Sequence, residues 1–198
     1  MFAPAALAVN DTTQFSVTAG SLSLGTAPDV PNLPALTLNG QSQTLTAQMA
    51  NFSAIDATGA ATGWNVTVIG DTSGGKSAVF KQYCPNATCG SDSGPGYVSG
   101  GQTLAANSLT LASTGASFAG QNGTTGTAPT LQCASACNVD SASAVKIASA
   151  AAGTGMGTWA TTGWGASSLA LSTPSTLKTL QSNEVYRVDL VWTINSGP

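Results

Sequence analysis

The octapeptide Gly70-Asp71-Thr72-Ser73-Gly74-Gly75-Lys76-Ser77 satisfies the phosphate-loop pattern and follows an apolar stretch, Val66 to Ile69. Taken alone, such a run would cradle the phosphates of a nucleotide. That chemistry needs a helix after the Lys-Ser pair, a parallel sheet, and a second strand ending in an aspartate for magnesium. Here Ala78 to Cys84 carries Val79, Phe80 and Tyr83 and then meets Pro85, which leaves under about two turns of helix. The run is therefore expected to be a flexible hairpin connection, with no nucleotide as ligand.

Four cysteines fall in two close pairs, Cys84 with Cys89 and Cys133 with Cys137, each in a Gly/Ser/Asn/Pro-rich stretch. Three pairings are open to four cysteines. The loop context favours two local disulfides, 84 to 89 and 133 to 137, each contributing ~2 kcal/mol in the chain-entropy model. A four-cysteine zinc site competes with them, although the spacings differ from the two-residue knuckles such sites prefer. Disulfides place the chain in an oxidising compartment outside the cytosol.

Other chemistry is sparse. The chain has no histidine, which removes Ser-His-Asp and Cys-His nucleophile systems and imidazole zinc sites. Glu184 is the one glutamate among eight acidic residues. Asp71, Asp92 and Asp140 lie in loops, but without the ligand density of a calcium loop they are expected to be solvated turn residues. No metal and no cofactor are expected. Five Asn-x-Ser/Thr triplets, at Asn10, Asn51, Asn65, Asn86 and Asn122, are ascribed to the abundance of Ser and Thr.

The elements that must carry these residues are short. Charged residues make up 7% of 198, against roughly 25% in an ordinary domain, and Gly, Pro, Ser and Thr interrupt any helical run. The five basic residues are scattered, none before Lys76, and the net charge is −3, so a nucleic-acid partner is excluded. Apolar residues recur with a period of two. Strands are expected within Gln14 to Leu24, Gln43 to Ala50, Trp64 to Ile69, Ser77 to Tyr83, Gln102 to Ala112, Pro129 to Cys133, Ala142 to Ala148, Gly157 to Thr161 and Ser167 to Ser172. The clearest is Glu184 to Asn195, with Tyr186, Val188, Leu190, Trp192 and Ile194 on one face. Asp29 to Pro34 is a connection.

The fold class is all-β: a single antiparallel sandwich or barrel-like domain over 14–198 with long Gly/Ser/Thr-rich loops. Residues 1–13 are set apart as a residual export signal or an amino-terminal extension, since Ala6-Leu7-Ala8 has the form of a signal-peptidase site. No apolar run approaches the ~20 residues of a membrane span.

Trp64-Asn65-Val66 after Thr62-Gly63, and Tyr186-Arg187-Val188-Asp189-Leu190-Val191-Trp192-Thr193-Ile194 just before the end, resemble the paired motifs of the WxL domain of Gram-positive cell surfaces. Gly157-Thr158-Trp159 with Leu169-Ala170-Leu171 is similar to the segment that precedes the second motif. Phe15 to Leu24 is like the first strand of actinobacterial relatives. The resemblance implies an exported, predominantly β protein that attaches non-covalently to the cell wall through peptidoglycan, beside other surface proteins, with Trp64 and Trp192 tied to attachment.

The residues themselves point elsewhere for those two indoles. Position i and i+2 of a strand share a face, so Trp64 lies with Val66 and Val68, and Trp192 with Leu190 and Ile194. Both are expected as core anchors. Trp159 and Trp164, in the Gly-rich stretch 153–165, are expected at the surface, with Trp164 the first choice for stacking on a sugar. Three roles follow: a module that binds cell-wall glycan; a subunit of a fibre or surface layer, self-assembling when an apolar leading segment such as Met1 to Phe15 adds as a strand to a neighbour; and an enzyme, ranked last.

Overall fold

A computed structural model describes residues 12–198. Every paired strand is antiparallel, and the one helical element among the described residues is a 3-10 turn, Ser73–Gly75. The all-β expectation is met. Residues 1–11, and with them most of the segment 1–13 and of the leading segment Met1 to Phe15, lie outside the described residues.

Three four-stranded sheets hold the molecule. The first orders Leu22–Leu24, Ser53–Asp56, Gly157–Thr162 and Ser117–Gln121. The second orders Thr130–Leu131, Val145–Ala150, Trp64–Gly70 and Leu190–Ser196. These two adjoin along both edges: Leu22–Leu24 lies beside Leu190–Ser196, and Ser117–Gln121 beside Thr130–Leu131, a barrel-like closure. The third sheet orders Cys137–Asn138, Leu109–Leu111, Leu169–Thr173 and Gln43–Ala47. A smaller sheet joins Val185–Arg187, Lys81–Cys84 and Gly96–Tyr97, and Thr88–Cys89 pairs with Asp92–Ser93.

Period-two patterning explains the inner faces. In Trp64–Gly70 burial alternates strictly, with Trp64, Val66 and Val68 at 0% exposure. Leu190–Ser196 lies beside it with Trp192 opposite Val68 and Ile194 opposite Val66, so the two strands turn their apolar sides the same way. Even-numbered residues 190 to 194 are half-buried and odd-numbered ones exposed, as the alternation predicts.

The long last strand nevertheless breaks in two, Val185–Arg187 and Leu190–Ser196. Its first part pairs with Lys81–Cys84 and its second with Trp64–Gly70, and those partners are themselves separated by the loop 71–80. A strand spanning two partners must break where they part. Other expected strands shorten, Pro129 to Cys133 to Thr130–Leu131 and Ser77 to Tyr83 to Lys81–Cys84 among them. Of Gln14 to Leu24 only Leu22–Leu24 is a strand, because only there does a partner, Ser53–Asp56, accept it. Of Gln102 to Ala112 only Leu109–Leu111 forms a strand, preceded by a single bridge from Thr103 to Lys81.

Asp140 corrects the picture of solvated loop aspartates. It is 0% exposed, and its carboxylate accepts the backbone N–H of Leu109 at 2.8 Å and of Ser108 at 3.0 Å. Burial pushes this carboxyl up, and the two donors partly restrain it. Asp140→Ala strands the buried Leu109 N–H and the part-buried Ser108 N–H and is expected to cost about 2 kcal/mol, read as a lowered urea midpoint. The folded value exceeds the unfolded ~3.9. The Asp140 contribution is therefore full below about pH 4 and lost as pH rises through the folded value. That part of the pH–stability slope should vanish in the variant.

Candidate functional site

Both cysteine pairs close locally, Cys84 to Cys89 and Cys133 to Cys137, and no thiol is left free. The four-cysteine zinc alternative is thereby overturned: the sulfurs are bonded to one another. The described residues hold no group of three or more His, Cys, Asp or Glu that could bind a metal.

The phosphate-loop pattern folds as a surface connection. Gly70 ends a strand, Ser73–Gly75 makes a single 3-10 turn, and Lys76 is already extended at φ −69°, ψ 173°. The lysine ammonium sits 2.7 Å from Asp71, whose other oxygen accepts the Ser73 N–H at 2.8 Å. The Lys76 hydrogen bond leads in drawing the Asp71 carboxyl down to about 2. The cation a nucleotide would need is thus held by an acid of the same loop, and no helix follows. Millimolar Mg-ATP is expected to leave the melting temperature unchanged in a thermal-shift assay; a rise of several degrees would count against this assignment.

The tryptophans separate differently from the sequence expectation. Trp64 is 0% exposed, Trp159 3% and Trp164 4%. The placement of Trp159 and Trp164 at the surface is therefore corrected. Each buried indole has an acceptor that makes burial tolerable: Gly155 O for Trp64 at 3.0 Å, Met156 O for Trp159 at 3.0 Å, and Thr161 Oγ1 for Trp164 at 3.1 Å. Glycine-rich surroundings marked close approach of backbone to ring. At Gly155, φ is +75°, and an added Cβ would collide with Ala150 and lie 2.8 Å from the Trp64 indole nitrogen.

Trp192 is the exception. It is half-buried, and among the described residues no such bond ties its N–H. One part of the ring meets Phe52 at a centroid distance of 6.4 Å. Phe52 in turn meets Trp164 at 6.5 Å and Phe118 at 5.8 Å, and Phe118 meets Trp64 edge-on at 5.9 Å. Both motif indoles thus rest on one aromatic cluster, Trp64 at its interior and Trp192 at its margin.

Beside Trp192 opens a groove of about 1200 Å³. One wall is the connection that carries Pro28, Pro31 and Pro34; the other is the stretch from Leu177 to Leu190, with Phe80 and Leu104 between them. Proline fixes the backbone of the first wall and removes donors from it, which suits an extended segment outside any sheet. Polar groups gather on the second wall. The Arg187 guanidinium sits 4.5 Å from the Tyr83 ring centroid and 2.6 Å from Asp189. Tyr97 donates to the other Asp189 oxygen at 2.7 Å and meets the Tyr83 ring edge-on at 5.1 Å. Burial first, and the Asp189 carboxylate next, push the Tyr97 hydroxyl well up, so it stays a donor.

Farther along this wall, Glu184 Oε2 accepts from Gln82 Nε2 and from the Gln181 N–H, both at 2.8 Å. Gln181 Nε2 also donates to Asp92 at 3.0 Å. The Gln82 hydrogen bond leads in lowering Glu184, while desolvation first, and Glu184 next, raise Asp92. These contacts tie the strands Lys81–Cys84 and Asp92–Ser93 to the groove wall. The sequence pointed to no groove, because its two walls lie about 150 residues apart and meet only in the fold.

Neither a curated protein nor a solved structure matches this chain. The family model described as "WxL domain surface cell wall-binding" does, over residues 8–198. With the paired Trp-x-aliphatic segments on one aromatic cluster, an all-strand body and two disulfides suited to an extracellular place, the chain belongs to the WxL family of cell-wall-binding surface domains.

Proposed function

We propose that this surface domain holds peptidoglycan non-covalently in the groove beside Trp192, as a binding module and not an enzyme. One observation carries the proposal: of four tryptophans, the half-buried one, Trp192, lines the groove of about 1200 Å³ while the other three are buried. A partly exposed ring offers an apolar face to a sugar, and Tyr83, Tyr186, Gln181 and Arg187 in the same groove supply the few convergent polar groups such a site needs. Purified peptidoglycan sacculi should sediment the protein, and soluble wall fragments should release it. Retention that is equal on an unrelated insoluble polysaccharide would sink peptidoglycan as the ligand.

A second reading, a subunit that assembles with other copies, is favoured by the amino-terminal segment. Phe15 and Val17 are 88% and 83% exposed, on a stretch that alternates like a strand and pairs with nothing among the described residues.

A further inference from the structure

Where the wall stretch 181–184 meets the disulfide-closed hairpin, one buried polar atom lacks a donor. Glu184 Oε1 is buried and nothing donates to it among the described residues. Its sister oxygen is already used, by Gln82 Nε2 and by the Gln181 N–H. The hairpin of Thr88–Cys89 and Asp92–Ser93 is clamped to this stretch by the side chain of Gln181. Its Oε1 accepts the Ser91 N–H at 2.8 Å and the Ser91 hydroxyl at 3.1 Å, while its Nε2 donates to Asp92 at 3.0 Å. Gly90 packs so closely on the same amide that an added Cβ would enter it. Asp92 stands opposite Cys89 in the ladder, and its carboxyl lies within hydrogen-bond reach of Glu184.

Two carboxylates side by side repel, whereas a carboxyl and a carboxylate share a strong hydrogen bond. A proton on Asp92 supplies the one donor that Glu184 lacks. Burial first, and Glu184 next, push Asp92 up, while the Gln82 hydrogen bond leads in drawing Glu184 down, so the proton settles on Asp92. No cation competes for either carboxyl. Neither Lys81 on the adjoining strand nor Lys178 and Arg187 on the groove wall bears on them, and Arg187 is engaged with Asp189. We propose that a proton shared between Asp92 and Glu184 latches the Cys84–Cys89 hairpin to the groove wall, so that the firmness of this wall follows pH. Its consequence for retention rests on the reading of the groove as the wall-binding site. Asp92, raised on folding, contributes fully below its unfolded ~3.9 and loses that contribution as pH rises through its folded value. Glu184, lowered on folding, contributes above its unfolded ~4.3 and loses that contribution only as pH falls through its folded value. The latch is therefore tight in mild acid and released above the folded Asp92 value.

The test follows how fast a water-soluble phosphine reduces each disulfide of the full chain at about pH 5 and at about pH 8, either side of the expected release. Cys84 and Cys89 are both 0% exposed, so their reduction requires the hairpin to open. Cys133–Cys137 in the same molecule corrects for the reagent's own pH dependence. The rate for Cys84–Cys89 relative to Cys133–Cys137 should rise roughly fivefold or more over this interval. Asp92→Asn puts a permanent donor beside Glu184, keeps an acceptor for Gln181, and should hold the relative rate at its acid level. Retention of the wild type on sacculi should fall over the same interval, and that of the variant should not. A relative rate that stays flat in the wild type, or that rises equally in Asp92→Asn, would overturn the latch. Release of the hairpin with unchanged retention would remove its control of the groove. Absence of retention at both pH values, with the relative rate still rising, would count against the groove as the wall-binding site and support the latch alone.

Discussion

Trp64→Ala is expected to lower the unfolding free energy by about 3–5 kcal/mol, the range for removing a large aromatic from a packed core. The side chain is 0% exposed, packs edge-on against Phe118 and donates to Gly155 O at 3.0 Å. Truncation would open a cavity between Val66, Phe118 and Ala150 and leave the Gly155 carbonyl without its donor. Trp64→Phe separates the two effects, because the ring is largely kept and the hydrogen bond is lost; about 1–2 kcal/mol is expected. Gly155→Ala should approach the alanine variant in cost, since a Cβ there enters the indole's space and φ is +75°. Urea unfolding followed by tryptophan fluorescence reads all three. A Trp64→Ala protein of wild-type stability that had lost wall binding would instead make Trp64 a contact residue.

The core role of Trp64 was legible because strand parity needs only near neighbours. Trp64, Val66 and Val68 alternate with Asn65 and Thr67, and the alternation alone sets the buried side. Local cysteine pairing was legible for the same reason, each partner lying within five positions in a loop that turns back on itself. Where small or polar residues line the interior, the signal fails. Ser53–Asp56 carries no apolar alternation although Ser53, Ala54 and Asp56 are all buried; its polar side chains are satisfied inside, Ser53 Oγ accepting the N–H of Thr26, 27 positions away, and Asp56 accepting from Thr58, two positions away. Trp159 and Trp164 were misplaced by an inference from glycine content to exposure. Their acceptors lie three residues away, at Met156 and Thr161, so a short turn suffices to bury each ring. At Phe15 and Val17 the alternation is present and the strand is not, since pairing requires a partner that the period cannot specify. The groove was illegible for a related reason: a proline-bearing connection and the penultimate stretch of chain have no mark in common until Val30 and Leu33 pack against the core beside Leu177 and Tyr186.

Trp192→Ala should weaken retention on peptidoglycan roughly thirtyfold, the equivalent of a ~2 kcal/mol anchor in a binding site. Its cost in stability should be smaller than that of Trp64→Ala, about 1–2 kcal/mol, because the ring is half-buried and touches Phe52 across one side only. The opposite ordering of the two variants in the two assays is the discriminating result, since both indoles sit on the same aromatic cluster and both head a Trp-x-aliphatic segment. Sedimentation with sacculi must therefore be measured beside unfolding on the same preparations. Trp192→Phe keeps an aromatic face in the groove and should recover much of the retention, which a loss caused by general loosening of the edge strand would not do. Should Trp192→Ala sediment like wild type, the groove would lose its claim to the glycan, and the exposed Thr193 and Asn195 side of the same strand would become the surface to probe.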